Sequence, residues 1–356
     1  MNIFKSLDSS QTVFKNEAVF SSDFIPTEIV RRENEIKEIA LTLMPLMKGK
    51  RSSNMILYGP PGTGKTMIAR YIAAQLKEAT SRVHSVYVNC AEQGYRYSIL
   101  GTVLSSLGYA VSRRGRSVDE LLERLVEILK KENKIPLIIL DDIDMISLDE
   151  KNSLLYDFLR MRENFGIECA VITITNREVF IIKLDRRIRS SLLQSVLKFQ
   201  KYGPDELRDI LKERAKLGFI SETWSDEVIG LCAGFAAKNG GDARLGINAL
   251  WLAGKEADKE GVKKITIEHV EKIKDNAQML LRAGEEQNLS KEEKSILTEI
   301  KKAGRIQSGA LYSKLKLNER TVRNYLTKLE ELGFIESIQI NSKEGNTRIF
   351  SIKKEI

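Results

Sequence analysis

The pattern of apolar and polar positions divides this chain into two textures. Up to about residue 200, short apolar runs alternate with stretches that are apolar at helical spacing. Asn54-Met55-Ile56-Leu57-Tyr58, Ser85-Val86-Tyr87-Val88-Asn89-Cys90, Pro136-Leu137-Ile138-Ile139-Leu140, Cys169-Ala170-Val171-Ile172-Thr173-Ile174 and Val196-Leu197-Lys198-Phe199 read as strands. Helices are predicted from Pro26 to Lys48 and at about 67–76, 96–107, 118–131, 150–164 and 184–193. Ser117 and Glu120 stand at capping-box spacing before the 118–131 helix. One crossover helix suffices between parallel strands, so the second helix before Pro136 reads as an insertion, entered through Arg113-Arg114-Gly115-Arg116. Alternating strands and helices imply an α/β fold with a parallel sheet and ligand at the strands' carboxyl ends. Past Gly203-Pro204 the strand pattern stops, and helices near 204–216, 226–238, 242–259 and 267–282 predict a small helical domain. Residues 283–288 read as a linker, followed by helices at 290–302, 308–315 and 319–332 and a hairpin whose strands flank Asn341–Asn346. The expected domains are therefore 1–202, 203–284 and 285–356, with residues 1–24 an arm laid on another part of the protein.

Between the first strand and the next helix lies Gly59-Pro60-Pro61-Gly62-Thr63-Gly64-Lys65-Thr66, which satisfies the G-x-x-x-x-G-K-[ST] pattern at every fixed position. Glycines allow the tight turn that aims backbone N–H groups and the helix N-terminus, from Met67 onward, at an anion. Lys65 is assigned to the β/γ-phosphates of ATP or ADP and Thr66 to Mg²⁺. Asp141 ends the next strong apolar strand, where a carboxylate can help hold that metal, and Asp142 follows where a base can polarise water. Asn176, at the tip of the following strand, is positioned to orient the water or touch the γ-phosphate, although a helix cap gives the same pattern. Arg187 sits among Arg186 and Arg189, so an arginine offered to a neighbouring subunit's nucleotide and a solvated basic face are both open readings. Arg244 opens a helix after a double glycine and could swing onto the phosphates.

Composition narrows the surroundings. Lys+Arg 57 against Asp+Glu 49 gives +8, which suits an acidic partner without requiring one. Cys90, Cys169 and Cys232 are isolated, His84 and His269 likewise, and no apolar run approaches a membrane span. A cytoplasmic, nucleoid-associated protein with no membrane partner is expected. The last domain has winged-helix order, with Lys314, Lys316, Arg320, Arg323 and Lys328 gathered against the single acid Glu319. Asn318, Arg320, Thr321, Arg323 and Asn324 are candidates to meet bases or phosphates, and Lys343, Asn346 and Arg348 to lie along the adjacent groove. A winged helix can also dock protein.

The joint order of these motifs resembles the archaeal replication initiator family, related to the origin recognition complex and the cell-division-control initiator. The resemblance runs over about residues 14–356. It rests on the P-loop, Leu-Asp-Asp-Ile-Asp at 140–144, Thr175-Asn176, Leu-Asp-Arg-Arg-Ile-Arg-Ser-Ser-Leu at 184–192, Gly-Asp-Ala-Arg at 241–244 and the winged helix. It implies an AAA+ P-loop domain, a helical lid domain and a C-terminal winged-helix domain. It also implies an ATPase that binds duplex DNA at replication origins, assembles with other initiator subunits and helps load the replicative helicase. By the same resemblance Asn176 is sensor 1, Arg187 the arginine finger and Arg244 sensor 2. The inserted region with Arg113, Arg114 and Arg116 touches DNA, and the segment from Phe24-Ile25-Pro26 to Arg32-Glu33, including Val30 and Arg31, lies beside the adenine. The family usually carries Asp-Glu where this chain has Asp141-Asp142, so slow hydrolysis is expected because the shorter carboxylate stands back from the water. The loop Ala91-Glu92-Gln93-Gly94 lacks the basic residues expected there, which points to a divergent, regulatory paralogue. Two other classes fit parts of the pattern. An AAA+ motor or clamp-loader subunit would use the winged helix for protein, and a P-loop transcription regulator would need neither the sensor arginine nor the insertion.

Overall fold

The structure is a computed structural model that describes residues 12–110, 117–177, 179–274, 290–315, 318–331, 334–342 and 345–352. The chain divides into two compact units, Met1–Ile273 and Lys274–Ile356. In the first, β1 (Met55–Tyr58), β2 (Val83–Asn89), β3 (Ile135–Asp141), β4 (Ala170–Thr175) and β5 (Ser195–Lys198) form a sheet of order β2-β3-β4-β1-β5. Every neighbouring pair is parallel. The apolar runs of β3 and β4 follow from their central position, since helices cover both faces and almost every residue is buried. Two apolar layers result, one around Ile56, Ile138 and Val171, the other around Leu57, Ile139 and Ile172.

Register decides where chemistry can gather. Tyr58 pairs with Thr175 and Asn89 with Asp141, so the loops leaving β1, β3 and β4 emerge side by side at one edge of the sheet. The helix after β1, Lys65–Ala79, presents Ile68, Ala69, Ile72 and Leu76 to the core. Helices Arg96–Ser106 and Val118–Glu132 both contribute to the first apolar layer, and Ser117 accepts from the Glu120 N–H as its spacing implied.

Two expected helices differ. The one predicted from Pro26 spans Glu33–Met47, because Arg31 takes a left-handed φ of 66° and Arg32 turns inward, buried, with its guanidinium over Tyr202. The 150–164 helix is two, Leu148–Leu159 and Met161–Phe165, meeting at Arg160. Helices Pro204–Gly218, Asp226–Lys238 and Ala243–Glu260 pack together, and another begins at 267. The arm docks on them. Phe14 and Phe20 close on Phe219 at ring distances of 5.1 and 4.6 Å, and Val13 N–H donates to Asp258. Gly254 permits this approach, since a Cβ there would lie 2.7 Å from both Phe14 and Phe219.

The second unit has helices Lys291–Ala303, Ser308–Lys314 and Glu319–Glu331 and a small antiparallel sheet. Its strands β6 (Arg305–Gln307), β7 (Ile335–Ser342) and β8 (Gly345–Ile352) take the order β6-β8-β7. β6 escaped the sequence pattern because three residues between two helices carry no period. The hairpin ladder also extends further than the polar turn suggested, to Ser342 paired with Gly345.

Candidate functional site

The P-loop lies at the mouth of a cleft of about 1170 Å³ between the sheet edge and the helical bundle. Pro61 through Met67 line it, together with Asp141, Asp142, Asn176 and Arg244. Gly62 has φ of +70°, and a Cβ on it would stand 1.7 Å from Asp242 Oδ1, so glycine serves both the turn and the contact. Its carbonyl accepts from Ala243 N–H at 3.2 Å, which ties the loop to the start of helix Ala243–Glu260. Thr63 is buried and donates to the Pro60 carbonyl at 2.9 Å, closing the loop on itself.

Lys65 is buried, and its ammonium donates to the carbonyls of Gly59 at 2.8 Å and Pro60 at 2.7 Å. Burial pulls its pKa down to about 8, against the opposing pull of Asp141. Asp141 is buried at the end of β3. Its Oδ2 accepts from Thr66 Oγ1 at 2.7 Å and from Tyr87 OH at 2.8 Å, and its Oδ1 accepts from Asp142 N–H at 3.0 Å. Asp142 has φ of 48°, a left-handed conformation that aspartate tolerates better than most residues. Its carboxyl accepts from Asn176 Nδ2 at 3.0 Å. Burial, then the charges of Asp141 and Asp144, push its pKa above the ordinary carboxylate value, while Lys65 and Arg244 pull it down. Arg244 is held by Asp242, the N-cap of its own helix, at 2.8 Å.

The structure thus brings Lys65, Thr66, Asp141, Asp142, Asn176 and Arg244 into one cleft. Val30 lines it as well, whereas Arg31 does not, being turned to pair with Asp209 on the helical bundle. Arg187 stands outside the cleft, 73% exposed, with its Nε 3.4 Å from Asp185. Neither histidine is near: His84 bonds Ser106 and His269 bonds Glu260. The sequence reading missed Tyr87, Arg70, Tyr202 and Trp251, all of which line the cleft. None of these carried a signal in the sequence, since strand register and packing against the helices set their places.

In the second unit Val322, Leu326 and Leu329 face the core, which leaves Arg323 and Asn324 exposed and Thr321 half-buried on helix Glu319–Glu331. Asn318 precedes that helix and its carbonyl accepts from Val322 N–H. Arg323 lies over the Tyr312 ring and 3.8 Å from Glu319, and Arg348 pairs with Glu330 at 3.1 Å. Arg320 is on the same helix and Asn346 on β8, but their side chains lie outside the described residues, as do Arg113, Arg114, Arg116 and Lys343 altogether.

The residue set fits a nucleotide with Mg²⁺: the P-loop N–H groups and the Lys65 ammonium suit phosphate oxygens, and the Thr66 hydroxyl and Asp141 carboxylate are hard oxygen ligands. Among the described residues no cluster of three or more His, Cys, Asp or Glu could hold a metal ion. The family comparisons agree with this geometry. Residues 48–179 match the AAA domain model, 208–275 the Cdc6 AAA+ ATPase-type lid domain and 291–336 the winged helix-turn-helix DNA-binding model. An ORC1-type DNA replication protein 1 of Sulfurisphaera tokodaii is 37% identical over 274 residues, covering 76% of this chain and 69% of that protein.

The chain belongs to the ORC1-type DNA replication protein family.

Membership extends over nearly its full length. The ORC1-type protein of Desulfurococcus amylolyticus is 31% identical over 366 residues, covering 97% of this chain and 92% of the relative. The Aeropyrum pernix ORC1 protein, solved in complex with DNA, superposes with a TM-score of 0.70 at 29% identity, over 98% of this chain and 95% of that one. As an ORC1-type protein it is an AAA+ ATPase of the replication-initiator type, with a nucleotide-binding P-loop domain and a winged helix. No described helix is long and apolar enough to cross a membrane.

Proposed function

We propose that this protein is an ATP-dependent switch that binds duplex DNA at a replication origin, assembles with other initiator subunits and helps recruit or load the replicative helicase. The observation that carries the reading is the convergence of Lys65, the Thr66–Asp141 pair, the Asp142–Asn176 pair and Arg244 on one cleft lined by the lid. The DNA complex of the Aeropyrum pernix ORC1 protein supports the assignment to DNA.

In this reading Lys65 exchanges two loop carbonyls for phosphate oxygens, and Arg244 exchanges Asp242 for the same phosphates as the lid closes. Thr66 and Asp141 hold Mg²⁺, which supplies neutralisation of phosphate charge when bound. Asp142 acts as the base for water; its raised pKa strengthens it, and Asn176 fixes one of its oxygens. Phe24 to Val30 and Tyr202 wall the side of the cleft assigned to the base. The exposed Arg187 finds its target only in a neighbouring subunit, so hydrolysis requires assembly. Hydrolysis is slow because Asp142 is one methylene shorter than the usual glutamate. Asp142→Glu should raise single-turnover hydrolysis, and an unchanged rate removes that explanation.

The deciding experiment is duplex binding across salt, with ATP and with ADP, for the wild type and for Arg323→Ala with Arg348→Ala. Closing about 4–6 phosphate contacts gives a log–log salt slope of about −4 to −5, which the double substitution flattens. No duplex binding at low salt makes the winged helix a protein-docking module and favours the motor-subunit reading.

A further inference from the structure

We infer that Tyr87 is a positioning residue for the metal-holding carboxylate: its hydroxyl fixes Asp141 in the orientation that Mg²⁺ binding needs. The inference rests on the reading that Thr66 and Asp141 hold the ion. Tyr87 pairs in register with Ile139 on β3, two residues before Asp141 on the same face of the strand. From there its OH donates to Asp141 Oδ2 at 2.8 Å, the same oxygen that accepts from Thr66 Oγ1. With Asp142 N–H on Oδ1, the carboxylate is held by three donors from the P-loop helix, the neighbouring strand and its own strand exit.

The ring is fixed in its turn. The Arg70 guanidinium stands 5.2 Å from its centroid, and Arg70 reaches Asp23 of the arm at 3.5 Å. Thr66 alone cannot supply the same restraint. Its hydroxyl must also turn a lone pair to the metal, whereas the Tyr87 hydroxyl donates to the carboxylate from the neighbouring strand. Partners that orient a metal ligand in this way are worth about 10–100-fold in metal affinity.

The test compares binding of a fluorescent ATP analogue with and without Mg²⁺ for the wild type, Tyr87→Phe and Asp141→Asn. The quantity read is the affinity gained on adding Mg²⁺, each variant serving as its own metal-free reference. Asp141→Asn should abolish most of the gain. Tyr87→Phe, which keeps the ring, should reduce it about 10-fold and raise the Mg²⁺ concentration at half-saturation by a similar factor. A normal gain in Tyr87→Phe beside a lost gain in Asp141→Asn overturns the inference and leaves the metal reading standing. Equal weakening with and without Mg²⁺ also overturns it, since the hydroxyl would then act on the nucleotide or on packing. A wild type with no Mg²⁺-dependent gain removes the metal reading and this inference together. Thermal melting in metal-free buffer checks that the variant is folded.

Discussion

The cleft and the winged-helix surface both carry arginines, lysines and carboxylates, yet they hold them differently. In the cleft, Lys65 and Asp141 are buried; Lys65 is held by carbonyls of its own loop, while Thr66 bonds Asp141 and Asn176 bonds Asp142 from far along the chain. Leaving such groups unpaired is expensive, because a desolvated donor or charge has no water to turn to. On the winged helix, the side chains of Arg323 and Arg348 are 68% and 47% exposed, and Arg323 pairs one helical turn away. Exposed pairs are worth about 0–1 kcal/mol and reopen readily. The cleft is therefore a built geometry, while the winged-helix surface is a reserve of charge that a polyanion can redirect.

Removing a buried anchor beside the cleft should have the largest effect. Phe14→Ala deletes a buried ring from the Phe14, Phe20 and Phe219 cluster and should cost about 3–5 kcal/mol of stability. Urea denaturation read by Trp251 fluorescence checks it, since Trp251 donates to Glu17 of the same arm at 2.8 Å. Lys65→Ala comes next. Losing a charge-assisted contact of about 1.5–3 kcal/mol should weaken nucleotide binding about 10–100-fold by calorimetric titration.

Lys65 also gives the cleft a pH dependence that the winged-helix surface lacks. Its pKa of about 8 without nucleotide must rise when phosphates surround it, so binding takes up a proton wherever the free form is neutral. Affinity should be flat below pH 7 and fall about tenfold between pH 7 and 9. Calorimetry in two buffers of different ionisation enthalpy should show net proton uptake at pH 8.5. Proton release there would reverse the sign and exclude Lys65 as the source.

The same contrast explains what could be read from the sequence. The P-loop, Asp141, Asp142 and Asn176 were legible because each is announced by its neighbours: a glycine pattern, the end of an apolar strand, a strand tip. Tyr87, Trp251 and Tyr202 were not, because their roles depend on strand register and on how the lid packs. Arg31 shows the limit of carrying a segment over as a block. Val30 lines the cleft, but one residue later a left-handed backbone sends Arg31 to Asp209. On the winged helix the basic positions and Glu319 were plain, whereas the pairing of Arg348 with Glu330, which depends on where β8 runs beside the helix, was not.

The smallest predicted effect tests whether those acidic partners restrain the surface. Glu330 accepts from Arg348 Nη2 at 3.1 and 3.2 Å and from Ser337, holding the guanidinium against the unit's own surface. If the surface binds duplex, Glu330→Gln releases that cation for a phosphate. Affinity should rise about 2–5-fold, the scale of one exposed pair. The log–log salt slope should steepen by about 1, as one phosphate contact is added. Glu330 also repels phosphate directly, so the gain alone does not identify Arg348. The double variant Glu330→Gln with Arg348→Ala separates the two causes. If Arg348 carries the effect, the double variant binds like Arg348→Ala; if the full gain persists, the carboxylate acts through its own charge. Either result leaves the cleft variants unmoved if the winged-helix pairs are as cheap to reopen as their exposure implies.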